Sequence, residues 1–327
     1  MGTTRNPRRG SLQFWPRKRA NRPYARIRNY GHSKECKILG FAGYKVGMSH
    51  VIAVDNYKFS PTKGSEIAIP VTIIECPPIK VAAVRLYKKS NALNVAKEVW
   101  SKVDKELERK IIISKKANHT LEGVNPDDYS DIRLLVYTQP KETGVGKKRP
   151  ELFEAWLSGS VKEKFDYAKF NLGKEIPLKN VFKDGQLVDV HSITKGKGFQ
   201  GPVKRFGVML RSHKSEKSTR FPGSLGSWKA QAHIMWRVAF AGKTGYHQRT
   251  EYNKHIIKIG DSSTDITPKG GFLKYGNVKS TYLLLKGSIP GPKKRMVIFT
   301  SPVRPTKKVS DEAKTITYIS NNSKQGR

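Results

Sequence analysis

From His191 to Lys258 the chain carries 14 Lys or Arg against only Glu216 and Glu251, with eight glycines and little periodic apolar content. Such a stretch, about 70 residues long, is too extended to be a free loop inside a compact domain. It is therefore expected to be ordered by something outside the polypeptide, and its charge fixes the sign of that partner. The rest of the chain agrees: 63 Lys or Arg stand against 26 Asp or Glu, a formal charge of +37 over 327 residues. So large an excess repels itself, and a compact fold tolerates it best when a polyanion supplies counter-charge. Nucleic acid is the abundant candidate and an anionic membrane the weaker one.

Several classes are excluded by the same reading. No apolar run reaches the roughly 18 residues needed to span a bilayer, and the first 30 residues are Arg-rich without the apolar core of a signal peptide. Membrane insertion and secretion are thus not expected. Cys36 and Cys76 form no CxxC pair and have no neighbouring histidine at metal-ligand spacing, so both read as buried apolar thiols in a reducing compartment. The length suits about two domains with an ordinary core, while 28 Gly and 18 Pro point to many turns and extended segments.

Along the chain, residues 1–34 hold ten Lys or Arg, no acidic residue, and Phe14, Trp15, Tyr24 and Tyr30. Pro7, Pro16 and Pro23 forbid a continuous helix, so a basic arm over 1–36 is expected to lie extended, its cations and rings suited to phosphates and unstacked bases. The apolar runs Lys37 to Val54 and Ile67 to Glu75, broken by glycines, predict short strands of a small barrel over 37–84, closed by strands within 256–305. Val95, Val99, Val103, Leu107 and Ile111 fall four apart and predict a helix over 92–112, with Glu106 and Lys110 pairing on its exposed side. Asp131 to Thr138 reads as a strand, the loop Gly144 to Pro150 as one that points its cations outward, and Ser160 with Glu163 as the capping box of a helix. The region 85–190 is accordingly an α/β insertion with return strands. The stretch 191–255 is a basic central extension, and 306–327 a polar tail.

Two motifs resemble nucleotide loops. Gly196, Gly198 and Gly201 satisfy GxGxxG after a strand, but Pro202 and the string Val203 to Gly207 follow where a helix should open, with no βαβ unit around them. Those glycines instead let the backbone approach phosphates that Lys195 and Lys197 neutralise. Gly242, Lys243 and Thr244 look like the end of a P-loop, yet Arg237 occupies the place of its first glycine. No catalytic constellation emerges from the eight scattered histidines; a general base among so many cations would have a depressed pKa, and histidine here suits stacking or hydrogen bonding to RNA.

The segment Gly223 to Thr250, GSLGSWKAQAHIMWRVAFAGKTGYHQRT, resembles the central extension of the universal L-three family of large-subunit ribosomal proteins. Four further motifs in order carry the resemblance across nearly the whole chain: GSLQFWPRKRA (Gly10 to Ala20), GFAGYKVGMSHV (Gly40 to Val51), TKGKGFQGPVKRF (Thr194 to Phe206) and KGSIPGPKKRMV (Lys286 to Val297). The long arm and the insertion look like the archaeal and eukaryotic branch, and archaeal within it. The resemblance implies a mainly β, α+β protein: a translation-protein-type β-barrel with an α/β insertion and long basic RNA-penetrating extensions. It also implies a non-catalytic structural role in the cytoplasmic large subunit, with large-subunit ribosomal RNA and neighbouring ribosomal proteins as partners. No cofactor, metal, membrane or small-molecule substrate is expected. In the family a tryptophan at the finger's tip approaches the peptidyl transferase centre, and Trp228 matches it, although Lys229 and Ala230 replace the family's following histidine and proline.

The residues assigned to rRNA contact are, in the arm, Arg8, Arg9, Trp15, Arg17, Lys18 and Arg19. After the return strand they are Lys195, Lys197, Phe199, Gln200, Lys204 and Arg205. In the finger they are Arg211, Arg220, Trp228, Lys229, His233, Arg237, Lys243, His247 and Arg249. Gly223 and Gly226 would allow a reversal presenting Trp228 to a base, with Arg220 and Lys229 on phosphates, whereas Met235 and Trp236, in an apolar run, are expected to pack at the root. An RNA-modifying enzyme using the basic stretch as a substrate cradle, and a DNA-packaging protein, are the competing readings.

Overall fold

The computed structural model describes residues 7–33, 35–102, 104–112, 121–226, 234–261, 266–306 and 312–323. In chain order its elements are β1 (Gly40–Val54), β2 (Glu66–Glu75), β3 (Ile79–Lys89), β4 (Leu93–Trp100), α1 (Lys105–Glu108), β5 (Asp131–Tyr137), β6 (Leu152–Trp156), α2 (Val161–Asn171), β7 (Glu175–Ile176) and β8 (Leu187–Ile193). There follow β9 (Phe199–Gln200), α3 (Pro202–Phe206), β10 (Gly242–Lys243), β11 (Gln248–Gly260), β12 (Tyr282–Lys286), β13 (Met296–Thr300) and β14 (Ile316–Ile319). They form two compact units: a smaller one, Met1–Pro23 with Ile193–Gln248, and a larger one, Tyr24–Ser192 with Arg249–Arg327. The protein is mainly β. Among the described residues no helix is long and apolar enough to cross a membrane.

The larger unit is organised by β1. Its length lets it pair antiparallel with β2 from Tyr44↔Glu75 to Val54↔Glu66, with β13 from Gly40↔Thr300 to Tyr44↔Met296, and with β14 at Val51↔Ile319. The path β13-β8-β11-β12-β2-β1, with β1 also bonded to β13, brings the sheet round into a near-closed ring. Near-closure leaves few exposed strand edges, and the buried core of this unit includes Phe41, Val46, Val71, Val188, Leu284 and Val297. A second, open sheet runs β4-β3-β5-β6, with β7 on β3. Helix α2 starts as the sequence indicates: the Ser160 hydroxyl accepts from the Glu163 amide while the Glu163 carboxylate accepts from the Ser160 amide.

Several expectations need correction. Residues 92–112 are not one helix but β4 followed by the single turn α1. A spacing of four is even, so it aligns side chains on one strand face as well as on a helix, and the β-branched Val95 and Val99 favour the strand. Val99 pairs with Val84 and is fully buried, Val95 is exposed, Leu107 is buried in α1, and Val103 lies outside the described residues. Glu106 pairs with Lys141 at 2.6 Å, not with Lys110. The first two barrel strands are also longer than the short strands expected, β1 having 15 residues and β2 ten, because Gly43 and Gly47 lie within β1 and do not end it. A Cβ on Gly43 would sit 2.5 Å from Cys76 Sγ, so glycine is needed there for close packing.

Lys147, expected to face outward, turns back to Glu151. Cys36 is only half-buried, unlike Cys76. Tyr24 and Tyr30 are buried in protein: their hydroxyls donate to the carbonyls of Leu152 (3.0 Å) and Glu154 (2.8 Å), and Tyr30 stacks on Trp156. In the C-terminal segment, β14 adds a strand to β1 beside the buried pair Lys314 and Asp55.

Strand β8 is buried along its whole length, polar residues included. Its Asp189 accepts from the amides of Asn253 and Val303, both at 2.9 Å, and His191 is hydrogen-bonded to Thr250 (2.9 Å) and Thr300 (3.0 Å). Burial pushes the His191 imidazole down to about 4, so the unfolded chain, with an ordinary histidine near 6.5, binds the extra proton first. Stability should therefore fall as pH drops from about 6.5 to about 4, by up to about 3 kcal/mol from this group. His191→Gln is expected to flatten that part of the pH profile in urea unfolding; an unchanged slope would remove His191 as its origin.

Candidate nucleic-acid interface

The smaller unit has one acidic residue, Glu216, in its whole sequence. Its frame is a two-stranded ribbon. The amide of Thr194 donates to His247 O (2.9 Å), Lys197 to Thr244 O (2.9 Å) and Thr244 to Gly198 O (2.9 Å), and β9 pairs with β10. Helix α3 then opens at Gly201 with Pro202 in its first turn and ends at Gly207, which is left-handed at φ 68°. The expectation that Pro202 forbids a helix here is thus corrected: proline lacks only an amide hydrogen that the first turn does not use. The helix is five residues long, and its pairing partners form a hairpin-like ribbon, not a βαβ unit.

The arm is fixed onto this frame by protein contacts. Trp15 stacks on Phe206 with centroids 5.4 Å apart and meets Trp236 edge-on at 6.1 Å. The Arg17 guanidinium lies 4.2 Å from the Phe206 centroid and donates to Arg205 O at 3.2 Å; Arg8 donates to Arg237 O at 2.9 Å. Further along, the Ala20 amide donates to Tyr246 O (2.9 Å) and Arg19 lies 5.6 Å from the Tyr246 ring. Each arginine on an aromatic face adds cation–π attraction of about 0.5–1 kcal/mol at such partly exposed positions. The arm's small apolar content is therefore supplemented by guanidinium–ring packing, which a count of aliphatic residues does not register.

The assigned residues divide by environment. Arg8, Arg9, Lys18, Arg19, Lys195, Lys197, Lys204, Arg220, Arg237 and Lys243 are exposed, as is Phe199. Trp15, Arg17, Arg205 and Arg211 are half-buried, and Gln200 donates to Lys197 O. Arg205 donates to Lys243 O and Phe240 O, and burial lowers its pKa. His247 is 8 % exposed and its Nδ1–H donates to Lys18 O at 2.7 Å, which ties the arm to the ribbon. Trp236, expected to pack at the root, is 66 % exposed although it meets Trp15 edge-on. Arg249 falls in the larger unit. Trp228, Lys229 and His233 lie outside the described residues.

Phe206, Tyr246 and Gly10 were not singled out in the sequence. A Cβ on Gly10, at φ 79°, would come 2.8 Å from the Phe206 ring, so the tight turn there lets the arm reach that ring. An apolar residue just before a terminating glycine, as in Phe206–Gly207, is the signal that marks such a packing position. Among the described residues no His, Cys, Asp and Glu group could hold a metal.

The family model described as "Ribosomal protein L3" matches residues 1–326. The "Large ribosomal subunit protein uL3" of Archaeoglobus fulgidus is 48 % identical over 98 % of each chain. Those of Methanocaldococcus jannaschii and Methanopyrus kandleri are 46 % and 44 % identical, the first over 100 % of both chains, the second over 98 % of this chain and 91 % of its own. A match of that extent, on a nearly carboxylate-free unit built to carry arginine and lysine, makes the chain a member of the ribosomal protein L3 family, a family of ribosomal proteins and not of enzymes.

Proposed function

We propose that the protein is a structural constituent of the large ribosomal subunit that binds and stabilises large-subunit ribosomal RNA, supporting assembly and translation. In this reading the ring of the larger unit is a translation-protein-type barrel (37–84 and 256–305) carrying the insertion 85–190. The arm (1–36) and finger (191–255) enter the RNA, the finger reaching toward the peptidyl transferase centre. Neighbouring large-subunit proteins are its other partners. The observation that carries the reading is the smaller unit's composition and build. Most of its assigned cations are exposed around a frame that protein contacts already hold, so phosphates meet a pre-arranged surface and not a floppy tail, which lowers the ordering cost of binding.

RNA contact would run through Arg9, Lys18, Lys195, Lys197, Lys204, Arg220 and Lys243, which the frame leaves exposed. Each phosphate neutralised releases condensed counterions, so log K should fall linearly with log salt. Lys197→Gln, removing one cation from the ribbon, is expected to reduce that slope by about 0.7–0.9. The check is a salt titration of the full chain against large-subunit RNA, together with co-sedimentation with large subunits. A flat salt dependence, or absence from the sedimenting subunit, would reject the function.

A further inference from the structure

We propose that a cleft in the smaller unit receives a single unstacked nucleotide of the RNA, its base turned inward and its phosphate held at an arginine rim. The proposal rests on the RNA-binding reading above and narrows it to one place. The cleft is an open one of about 430 Å³, within the range of volumes of sites that hold a small organic molecule. Met209, Pro222 and Val238 supply apolar walls, and Arg8, Arg9 and Arg237 stand around them.

The walls come from separate segments that are cross-tied. Arg8 donates to Arg237 O at 2.9 Å, joining the arm to the finger, and the Met235 amide donates to Leu225 O at 3.2 Å, joining two segments of the finger. Gly207 and Gly223, at φ 68° and 104°, make the turns beside Met209 and Pro222. No carboxylate lines the cleft, and Arg9 and Arg237 make no ion pair among the described residues. Met209 is 60 % exposed, so its apolar surface is open to an incoming base.

This mixture selects the occupant. A duplex keeps its base faces covered by stacking, so it can meet the arginines but not the apolar walls; only an unpaired base, as in a bulge or loop, can turn a face inward while its phosphate stays at the rim. An acidic peptide would satisfy the arginines and leave the walls wet. Arginine around an apolar slot fits the two parts of a nucleotide together.

The test uses the full chain and two RNA hairpins of equal length and charge, one fully paired and one with a single-nucleotide bulge, at matched salt. Wild type is expected to bind the bulged RNA about fivefold more tightly, the preference that one base face packed on apolar, non-aromatic walls would give. Ser224→Leu and Ala239→Leu each fill the cleft without changing charge or offering an aromatic face to a base, and they come from different segments, so a folding defect in one leaves the other informative. In both, the bulged-to-paired ratio should fall to about one. The proposal is overturned if wild type shows no preference, if both filled variants keep it, or if a glutamate-rich peptide displaces paired and bulged RNA alike. If neither RNA binds at all, the RNA-binding reading itself fails; if both bind with equal affinity, only the cleft assignment does.

Discussion

Glu75→Ala is expected to lower the stability of the larger unit by about 4 kcal/mol, seen as a reduced urea midpoint with an unchanged slope. Glu75 ends β2 and is fully buried. Its carboxylate accepts from the amides of Gly144 (3.1 Å), Ser280 (3.0 Å) and Lys279 (2.5 Å), and from the Tyr275 hydroxyl. Burial and the adjacent negative charge push the Tyr275 phenol upward, which keeps it a donor. Removing the carboxylate leaves four donors facing a void, each costing about 1–3 kcal/mol unless water or relaxation satisfies it. Glu75→Gln keeps one acceptor oxygen but turns an amide NH₂ toward other donors, so it should cost about 2 kcal/mol. A Glu75→Ala variant within 1 kcal/mol of wild type would mean that water replaces the carboxylate at this junction.

That junction shows where a sequence stops being readable. Glu75 gathers partners 69 to 205 residues away, and nothing in its neighbourhood distinguishes it from a surface carboxylate. Features written into neighbouring residues were readable: the strand Asp131–Tyr137, the Ser160–Glu163 box, and the pair Tyr282–Lys286 and Met296–Thr300 around their turn. Where a local pattern satisfies two geometries, it misleads. Valines four apart fit a helix face and a strand face equally, and the choice fell to β3, which offered Val99 a partner in Val84. Pro202 misled for the opposite reason, since a residue that breaks a helix interior is at ease in a first turn.

The site was legible in charge but not in architecture. The sequence offers the arm's interleaved cations and rings as faces for RNA, and Arg8, Arg9, Lys18 and Arg19 are exposed. Trp15, Arg17 and Phe206, however, spend those same faces on one another, because a guanidinium over a ring is as favourable within a chain as across an interface. His247 follows the same logic: its distance from Lys18 in sequence hides a hydrogen bond that fixes the arm.

Gly245→Ala is expected to weaken RNA binding at least about tenfold by disturbing this frame, since misplacing several phosphate contacts at once costs more than one base contact. Gly245 has φ 75° and is followed by Tyr246 at φ 57°, so two left-handed residues in succession turn the ribbon. A Cβ on Gly245 would lie 2.1 Å from Lys195 O, a backbone atom that cannot swing aside as a side chain would. Left-handed strain of about 1–2 kcal/mol adds to a repacking cost of about 1–3 kcal/mol. The displaced turn also carries the arm, through Tyr246 O to the Ala20 amide and through His247 to Lys18 O. Trypsin should then cut faster at Arg17, Lys18 and Arg19. Gly198→Ala is the control: it lies in the same ribbon at φ 70°, but its Cβ would meet nothing within 4 Å. It should bear the strain without the collision and lose only a few-fold in affinity. Equal losses in the two variants would assign the effect to backbone strain and not to the Lys195 carbonyl. Wild-type affinity and cleavage in Gly245→Ala would show that the ribbon's register does not position the arm.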